Sequence, residues 1–314
     1  MPLALGPLIT LAGGATLGLA AWWRRHSARR IEAALLARCP LGADGIMDGA
    51  GGFSLDRPNA PAVLLLHGVG DTPASLRYLA EALHAEGYAV EVPLLPGHGR
   101  TLRDFSAVTA DAWYDAAREA LRSLLARREW VAIAGLSMGG ALSARLAADD
   151  ALGDAVRAVV LLAPYLVPPA FVRAAARLSR AWGVVMPYVN TQDPRSIQDE
   201  VERARALGYG AMTPSALRAL VATADAARGA LPHITAPTLV VLSRHDNRVA
   251  AASAERAFGR IGAADKRMLW RDIGGHILPV DHGRDEVFDA TLDWLAMHGG
   301  VERRAVPRIR SSRG

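Results

Sequence analysis

The sequence contains one cysteine, Cys39, and one lysine, Lys266, among its 314 residues. A single cysteine excludes an intramolecular disulfide, so the chain is not a small secreted domain held together by disulfides. Cys39 stands in "ARCP", with no C-x-x-C pattern and no obvious histidine partner. It is therefore a poor candidate for a metal ligand or a thiol nucleophile, and we predict no metal site.

The basic character does not take the form expected of a nucleic-acid-binding protein. The formal net charge is +5 and the pI is about 9.8. The arginines, however, cluster at residues 22–30 and 301–314, and the charges between them are mixed in sign. No basic stripe interleaved with aromatic residues is present, so we expect no nucleic-acid partner.

Residues 2–23 contain no charged side chain. As a helix, this run would be about 33 Å long, close to the thickness of a bilayer core. It ends in Trp22 and Trp23 and is followed by four arginines, which is typical of a helix leaving a membrane. We therefore expect residues 1–23 to be an uncleaved single-pass anchor, with the rest of the chain cytoplasmic. The alternative is a cleaved signal peptide and export, although the basic residues follow the apolar run instead of preceding it.

From Gly42 onward, short apolar runs alternate with amphipathic stretches, which indicates a parallel sheet with crossover helices. The runs that predict strands are residues 62–68, 89–95, 130–135, 156–164, 236–243 and 266–273. The predicted α/β core, a mostly parallel central sheet flanked by helices, therefore covers residues 45–164 and 234–298. A basic linker is predicted before the core, over residues 24–44, and a basic tail after it, over residues 299–314.

Residues 165–233 interrupt this alternation with helical patterns and no clear strand. Long connections between strands usually carry function, so we predict a small helical cap over the carboxyl edge of the sheet. The apolar residues of this segment either line a binding surface or pack against the core: Phe171, Val172, Leu178, Trp182, Leu217, Leu220 and Val221.

Ser137 stands in "GLSMG", between a predicted strand and a predicted helix. In that context the pattern G-x-S-x-G indicates a nucleophile elbow, and Gly135, Gly139 and Gly140 leave room for the strand and helix to approach. The alternative is a glycine-rich bend with an idle serine. The spacing does not match a dinucleotide- or phosphate-binding loop.

A serine nucleophile requires a histidine base held by a carboxylate, and in this fold the chain order is serine, acid, histidine. His276 stands in "DIGGHILP", directly after the last predicted strand, whereas His282 and His298 are more simply explained as solvated residues. His67 precedes the serine, so we expect a structural role for it.

The acid is expected in the loop after the preceding strand. Asp246, in "TLVVLSRHDNRV", occupies that place. Asp272 and Asp281 are rival acids, but both lie too near His276 in sequence to fit the expected order.

The oxyanion of the reaction needs two fixed donors. The N–H of Met138, directly after Ser137, is one candidate. The second is the N–H of Val69 in "LLLHGVGDTP", where Gly68 and Gly70 allow the backbone to turn inward.

Five motifs in this order resemble bacterial monoacylglycerol lipases and carboxylesterases of the α/β-hydrolase fold. They are "LLLHGVGDTPASLRYLAEAL", "VPLLPGHGRT", "GLSMGGAL", "SRHDNRV" and "GGHILPVD". The resemblance implies Ser137, Asp246 and His276 as the triad, Val69 and Met138 at the oxyanion hole, a helical cap from Tyr165 onward and no cofactor. Two departures are Val69, where the family often has a bulky aromatic residue, and the extra apolar segment at the N-terminus.

These observations predict a membrane-anchored serine ester hydrolase that acts on acylglycerols or other esters with an apolar acyl chain. The same triad could serve a thioesterase or an acyltransferase, because a fold does not determine the acyl acceptor. A third possibility is a catalytically silent, membrane-tethered binding protein on a hydrolase scaffold, against which the intact serine, aspartate and histidine argue.

Overall fold

The computed structural model describes residues 6–302, with side chains for residues 18, 19 and 21–302. The strands are β1 Phe53–Leu55, β2 Ala62–Leu66, β3 Ala89–Val92, β4 Val131–Leu136, β5 Val156–Leu162, β6 Val189–Asn190, β7 Ala211–Met212, β8 Thr238–Ser243 and β9 Lys266–Arg271. The helices are α1 Gly6–Arg38, α2 Arg77–Ala85, α3 Leu102–Ser106, α4 Ala110–Leu125, α5 Met138–Leu146, α6 Ala170–Trp182, α7 Glu200–Arg205, α8 Pro214–Ala230, α9 Ala251–Gly259 and α10 Arg284–Met297.

Seven strands form one sheet in the order β1-β3-β2-β4-β5-β8-β9. Every neighbouring pair is parallel except β1 with β3. The predicted α/β fold with a mostly parallel sheet is therefore confirmed. All six predicted strands are present, whereas the three-residue edge strand β1 shows no pattern long enough to predict it.

The central strands are buried on both faces because helices cover both sides of the sheet. Every residue of β2, β4 and β8 is buried. Leu64 and Ile133 face one apolar core together with residues of α4, α5 and α8, while Val63 and Leu65 face a second core with residues of α2 and α10. Strands buried on both faces are apolar throughout, which explains the uninterrupted runs in the sequence.

The parallel strands bring their following loops to one edge of the sheet. Val69 follows β2, Ser137 follows β4, Asp246 follows β8 and His276 follows β9. The carboxyl edge therefore collects the four loops that carry the predicted catalytic chemistry.

The predicted cap segment, residues 165–233, lies between β5 and β8 and contains α6, α7 and α8. Helix α8 packs against α4, α5 and α6, so it joins the cap to the core. The segment also contains the antiparallel pair β6–β7. Two-residue strands have no periodicity, which is why the sequence shows no strand here.

The sequence predicts a basic linker over residues 24–44, but the structure has continuous helix α1 as far as Arg38. Ile31 packs against the core and Leu35 is buried in it. Arg24 Nε donates to the carbonyl oxygen of Gly183 in the cap at 3.1 Å, and Arg38 Nη1 donates to the carbonyl oxygen of Ala206 at 3.1 Å. This part of the chain is rich in arginine, alanine and leucine, which are good helix formers, and Ile31 and Leu35, four residues apart, lie on the side that faces the core.

The predicted membrane-spanning anchor over residues 1–23 is not supported. Among the helices of residues 6–302, none combines the length and the apolar character needed to cross a bilayer. Residues 1–5, and the side chains of most residues up to 20, lie outside the described part of the chain, as do residues 303–314 of the predicted C-terminal tail.

The close approach of α5 to β2 generates a stability prediction. A Cβ atom at Gly139 would lie 1.9 Å from the carbonyl oxygen of Leu66, which is backbone and cannot move aside. We expect Gly139→Ala to lower the free energy of unfolding by about 3 kcal/mol. The matched control is Gly229→Ala in α8, where a Cβ meets nothing within 4 Å. Because alanine favours helix over glycine, the control should be neutral or stabilising by up to about 1 kcal/mol.

Urea unfolding followed by circular dichroism measures both variants. Equal stability of Gly139→Ala and wild type would contradict the packing at this turn.

Candidate active site

Ser137 occupies a strained turn between β4 and α5. Its φ of 55° and ψ of −112° are unusual for a residue with a side chain. The turn is held by backbone hydrogen bonds: Ser137 N–H donates to Leu162 at 2.9 Å, and the Ser137 carbonyl accepts from Tyr165 N–H at 3.0 Å. A Cβ at Gly135 would lie 2.2 Å from the Gly139 carbonyl oxygen, so glycine is needed there. A strained turn of this kind between a strand and a helix is what a nucleophile elbow requires.

The structure brings Ser137, His276 and Asp246 into one chain of hydrogen bonds. Ser137 Oγ lies 2.9 Å from His276 Nε2, and His276 Nδ1 lies 2.8 Å from Asp246 Oδ2. Since the carboxylate can only accept, Nδ1 carries the proton of the neutral ring and Nε2 accepts from the serine hydroxyl. The ring is therefore oriented to remove a proton from Ser137.

Asp246 is held in its charged form. Burial by itself would raise the pKa of this carboxyl, but the electrostatic interaction and the hydrogen bond with His276 oppose that effect, and the pKa lies below its usual value. Asp246 Oδ1 also accepts the backbone N–H groups of Arg248 at 2.7 Å and Val249 at 2.9 Å. The carboxylate thus has a fixed orientation toward the imidazole.

The two predicted oxyanion donors are the backbone N–H groups of Met138 and Val69. Met138 is the first residue of α5, so its N–H has no acceptor within the helix. Val69 donates no backbone hydrogen bond within residues 6–302. Gly70, in a left-handed conformation with φ of 66°, turns the chain after Val69.

A cavity of about 1460 Å³ opens over the serine, between the sheet edge and the cap. Ser137, His276 and Val69 form its floor. Apolar residues of the cap line much of the remainder: Phe171, Val172, Trp182, Met186, Leu217 and Leu220. Of the seven apolar cap residues in the sequence pattern, five line this cavity, while Leu178 and Val221 do not.

A profile of the serine aminopeptidase S33 family matches residues 57–282. The chain belongs to this family. It is 28% identical over 256 residues to a thermostable monoacylglycerol lipase of Bacillus sp. (strain H-257), a match that spans 81% of this chain and 98% of the relative. It is also 28% identical over 235 residues to a carboxylesterase of Bacillus subtilis (strain 168), spanning 74% of this chain and 92% of the relative.

Solved structures agree with this assignment. A metagenome-derived lipolytic enzyme superimposes with a TM-score of 0.73 at 25% identity, covering 80% of this chain and 98% of its own. The monoacylglycerol lipase of Paleococcus ferrophilus shares the fold, with a TM-score of 0.67 at 20% identity, covering 79% of this chain and 98% of its own. This S33 protein is an ester-hydrolysing serine hydrolase of the α/β-hydrolase fold.

The rival residues of this hydrolase lie outside the hydrogen-bonded chain. Asp272 is exposed and pairs with Arg244 at 3.0 Å. His282 is exposed, and the His298 ring contacts the Trp294 carbonyl oxygen and Asp265. Asp281 is buried but faces backbone N–H groups instead of the His276 ring.

His67 and His98 are buried beneath the Val69 loop. His67 Nε2 accepts from Leu95 N–H at 3.0 Å, so its proton is on Nδ1, which donates to the Gly68 carbonyl at 2.9 Å. Burial lowers the pKa of His67 to about 4. Burial, and to a smaller extent the electrostatic interaction with His67, also lowers the pKa of His98 well below its usual value. Both rings are therefore neutral structural groups, as the sequence order predicts for His67.

No sequence pattern predicts that Asp71, a titratable residue, lies in the cavity wall. Asp71 follows the Val69 loop, and its Oδ1 accepts the N–H of Thr72 at 2.8 Å. Burial raises the pKa of this carboxyl to about 6. Its position depends on the fold of the loop, which composition alone does not indicate.

The buried histidines generate a pH prediction. The lowered pKa of His98 means that the unfolded chain binds a proton below about pH 6.5 that the folded chain does not bind. The free energy of unfolding should therefore fall as the pH decreases below that value. His98→Phe removes this titration while leaving an aromatic ring beside Phe105 and Trp113.

The difference in unfolding free energy between wild type and His98→Phe should change by up to about 1.4 kcal/mol per pH unit, in favour of the variant toward acid pH. Urea titrations from pH 7.5 to 4.5 measure it. A difference that is independent of pH would contradict the neutral state of His98.

Proposed function

We propose that Ser137, Asp246 and His276 are the catalytic triad of a carboxylic-ester hydrolase. The observation that carries this proposal is the hydrogen-bonded chain from Ser137 Oγ through the His276 ring to Asp246, at 2.9 and 2.8 Å, built on a strained turn at the floor of a cavity. This is the arrangement that a serine nucleophile with a general base requires.

In the proposed reaction, Ser137 Oγ attacks the ester carbonyl carbon while His276 Nε2 takes the hydroxyl proton. The imidazolium that forms is stabilised by Asp246, whose carboxylate stays ionised. His276 then gives the proton to the leaving alcohol as the acyl–enzyme forms. A water molecule, deprotonated by the same ring, attacks the acyl carbon and releases the acid and free Ser137.

The tetrahedral intermediates carry a negative charge on the former carbonyl oxygen. We assign Val69 N–H and Met138 N–H as its donors. Val69 lines the same cavity as Ser137, and Met138 N–H directly follows Ser137 at the positive end of α5. Donors that are fixed before the charge develops need no reorganisation during the reaction, so they favour the transition state over the ester.

The proposed substrates are monoacylglycerols and other esters with an apolar acyl chain. The support is the cavity of about 1460 Å³ above Ser137, whose cap side presents Trp182, Leu217 and other apolar side chains. Pockets for small ligands commonly measure about 300–1000 Å³, so this space is large enough for a long acyl group. The names of the two Bacillus relatives, a monoacylglycerol lipase and a carboxylesterase, point in the same direction.

Turnover of p-nitrophenyl butyrate and of 1-monooleoylglycerol tests this function. We expect Ser137→Ala to lower kcat for both esters by about 10⁴-fold or more, because the nucleophile is removed. Ser123→Ala, on the exposed face of α4, is the matched control and should retain wild-type activity. Equal turnover by Ser137→Ala and wild type would contradict the assignment of the nucleophile.

The same assay separates ester hydrolysis from other acyl transfers. Aminoacyl p-nitroanilides and acyl-CoA thioesters are assayed beside the esters. We expect kcat/KM to be highest for the long-chain monoacylglycerol. A higher value for the anilide or the thioester would contradict the proposed substrate class.

We further propose that the chain associates with a lipid surface through its N-terminal helix and cap. Trp22 and Trp23 are 58% and 54% exposed, and Val184 of the cap is 60% exposed. Their chain neighbours are joined, because Arg24 is hydrogen-bonded to the Gly183 carbonyl oxygen. Phe171 and Leu178, also exposed, lie seven residues apart on α6 and thus on one face. The uncharged run in the sequence, residues 2–23, overlaps the first part of the same helix, Gly6–Arg38.

Flotation with phosphatidylcholine–phosphatidylglycerol vesicles tests this association. The triple variant Trp22→Ser, Trp23→Ser, Val184→Ser should lower the vesicle partition coefficient of the full chain by about 10–100-fold, because less apolar surface is buried in lipid. Hydrolysis of soluble p-nitrophenyl butyrate should not change.

The control is Met297→Ser. Met297 is exposed at the end of α10. The next residue, His298, is hydrogen-bonded to Trp130 and Asp265, which directly precede β4 and β9. Met297 therefore lies at the edge of the sheet where the parallel strands begin, away from the cap. A wild-type chain that does not float, or a triple variant that floats equally well, would contradict the proposal.

A further inference from the structure

The carboxylate of Asp281 is buried, with the residue 2% exposed, and accepts four backbone N–H groups. Oδ1 accepts from Asp199 and His282, both at 2.8 Å. Oδ2 accepts from Gln198 at 2.8 Å and Gly275 at 2.6 Å. No ion pair to Asp281 is present within residues 6–302. Charge-assisted hydrogen bonds from fixed backbone donors therefore replace the water that a buried carboxylate loses.

The four donors belong to two segments that must meet for the site to form. Gly275 is the residue before His276, and His282 follows Asp281 in the same loop. Gln198 and Asp199 belong to the cap. The single carboxylate thus joins the histidine loop to the cap.

Further backbone contacts surround His276. The N–H of Ile277, directly after His276, donates to the Ser196 carbonyl of the cap at 2.9 Å. A Cβ at Gly275 would lie 2.1 Å from the Arg195 carbonyl oxygen, so the two backbones are in direct contact. The residues on both sides of His276 are therefore hydrogen-bonded through their N–H groups, Gly275 to Asp281 and Ile277 to the cap.

The same cap segment also contacts the loop of Asp246. Asn247 Nδ2 donates to Ser196 Oγ at 3.1 Å, and Arg248 Nε donates to the same oxygen at 3.3 Å. Ser196 thus touches both loops, while Asp281 holds the segment that follows Ser196. The acid loop, the histidine loop and the cap form one hydrogen-bonded unit.

We propose that Asp281 is a positioning residue for His276. This inference rests on the proposed triad. Asp281 touches neither the ring nor the cavity, and it acts through the Gly275 N–H, which sets the backbone from which the imidazole extends. The ring must keep Nε2 within 2.9 Å of Ser137 and Nδ1 within 2.8 Å of Asp246 at the same time. A small displacement of the loop lengthens both hydrogen bonds, and catalysis is sensitive to displacements of about 1 Å.

The test is Asp281→Asn in the full chain. The amide keeps one acceptor oxygen, but its NH₂ group faces two N–H donors, so two of the four hydrogen bonds are lost. We expect kcat for p-nitrophenyl butyrate to fall by about 100-fold, because a misplaced base weakens the transition state. KM should stay within about twofold, because the cavity is not altered. Asp285→Asn is the matched control, since Asp285 is exposed at the start of α10.

Active-site titration with a fluorophosphonate corrects both variants for the fraction of folded enzyme, and the rate of that labelling reports directly on activation of Ser137. A purely structural role predicts a lower thermal midpoint with wild-type kcat per labelled site, which would overturn the proposal. Wild-type enzyme without turnover or labelling would contradict the proposed function instead.

A second pair of variants tests the cap side while leaving Asp281 in place, should Asp281→Asn not fold. Asp199 has φ of −64°, which proline adopts without strain. Asp199→Ala and Asp199→Pro both lose the side-chain cap of α7, but only the proline loses the N–H that binds Asp281. We expect kcat of Asp199→Pro to be about fivefold below that of Asp199→Ala. Equal kcat values for this pair would overturn the proposed link between the cap and His276.

Discussion

The backbone turn at Ser137 is the constraint on which the rest of the structure depends. A residue with a side chain at φ of 55° and ψ of −112° is strained by about 1–3 kcal/mol, so the surroundings must enforce the conformation. They do so by hydrogen bonds from β5 and its loop to the Ser137 backbone, and by glycines where α5 touches β4 and β2. The turn places Oγ of the proposed nucleophile at the edge of the sheet, within 2.9 Å of His276 Nε2.

The loops that complete the site are held together by hydrogen bonds to one another and to the cap. Parallel strands bring the Val69, Asp246 and His276 loops to the same edge, but loops alone would not hold two hydrogen bonds to one imidazole. The cap contributes Ser196 and the N–H groups of Gln198 and Asp199, which bind the Asp281 carboxylate of the histidine loop. The cap therefore has two roles: it lines the apolar cavity and it holds the histidine loop.

Features with local patterns were predictable from the sequence. The central strands are continuous apolar runs, the elbow has a short motif, and the order of serine, acid and histidine distinguishes Asp246 and His276 from their rivals. Features made by distant backbone groups were not. The strands β6 and β7 are too short to show a periodic pattern. The second half of α1 packs against the core and the cap, but its arginines also fit the pattern of a linker beside a membrane, so the sequence did not predict this packing. In the sequence, Asp281 looks like a rival for the acid of the triad. Its partners in the cap are the N–H groups of Gln198 and Asp199, which lie 83 and 82 positions away in the chain, so no local pattern reveals them.

Identification of the serine modified by a fluorophosphonate probe tests the central claim most directly. The probe phosphonylates an activated serine, and peptide mass spectrometry locates the adduct. The account predicts one adduct per chain, on the peptide that contains Ser137, and slower labelling when Asp246 is replaced by asparagine. An adduct on another serine, or no adduct in enzyme that hydrolyses esters, would contradict it.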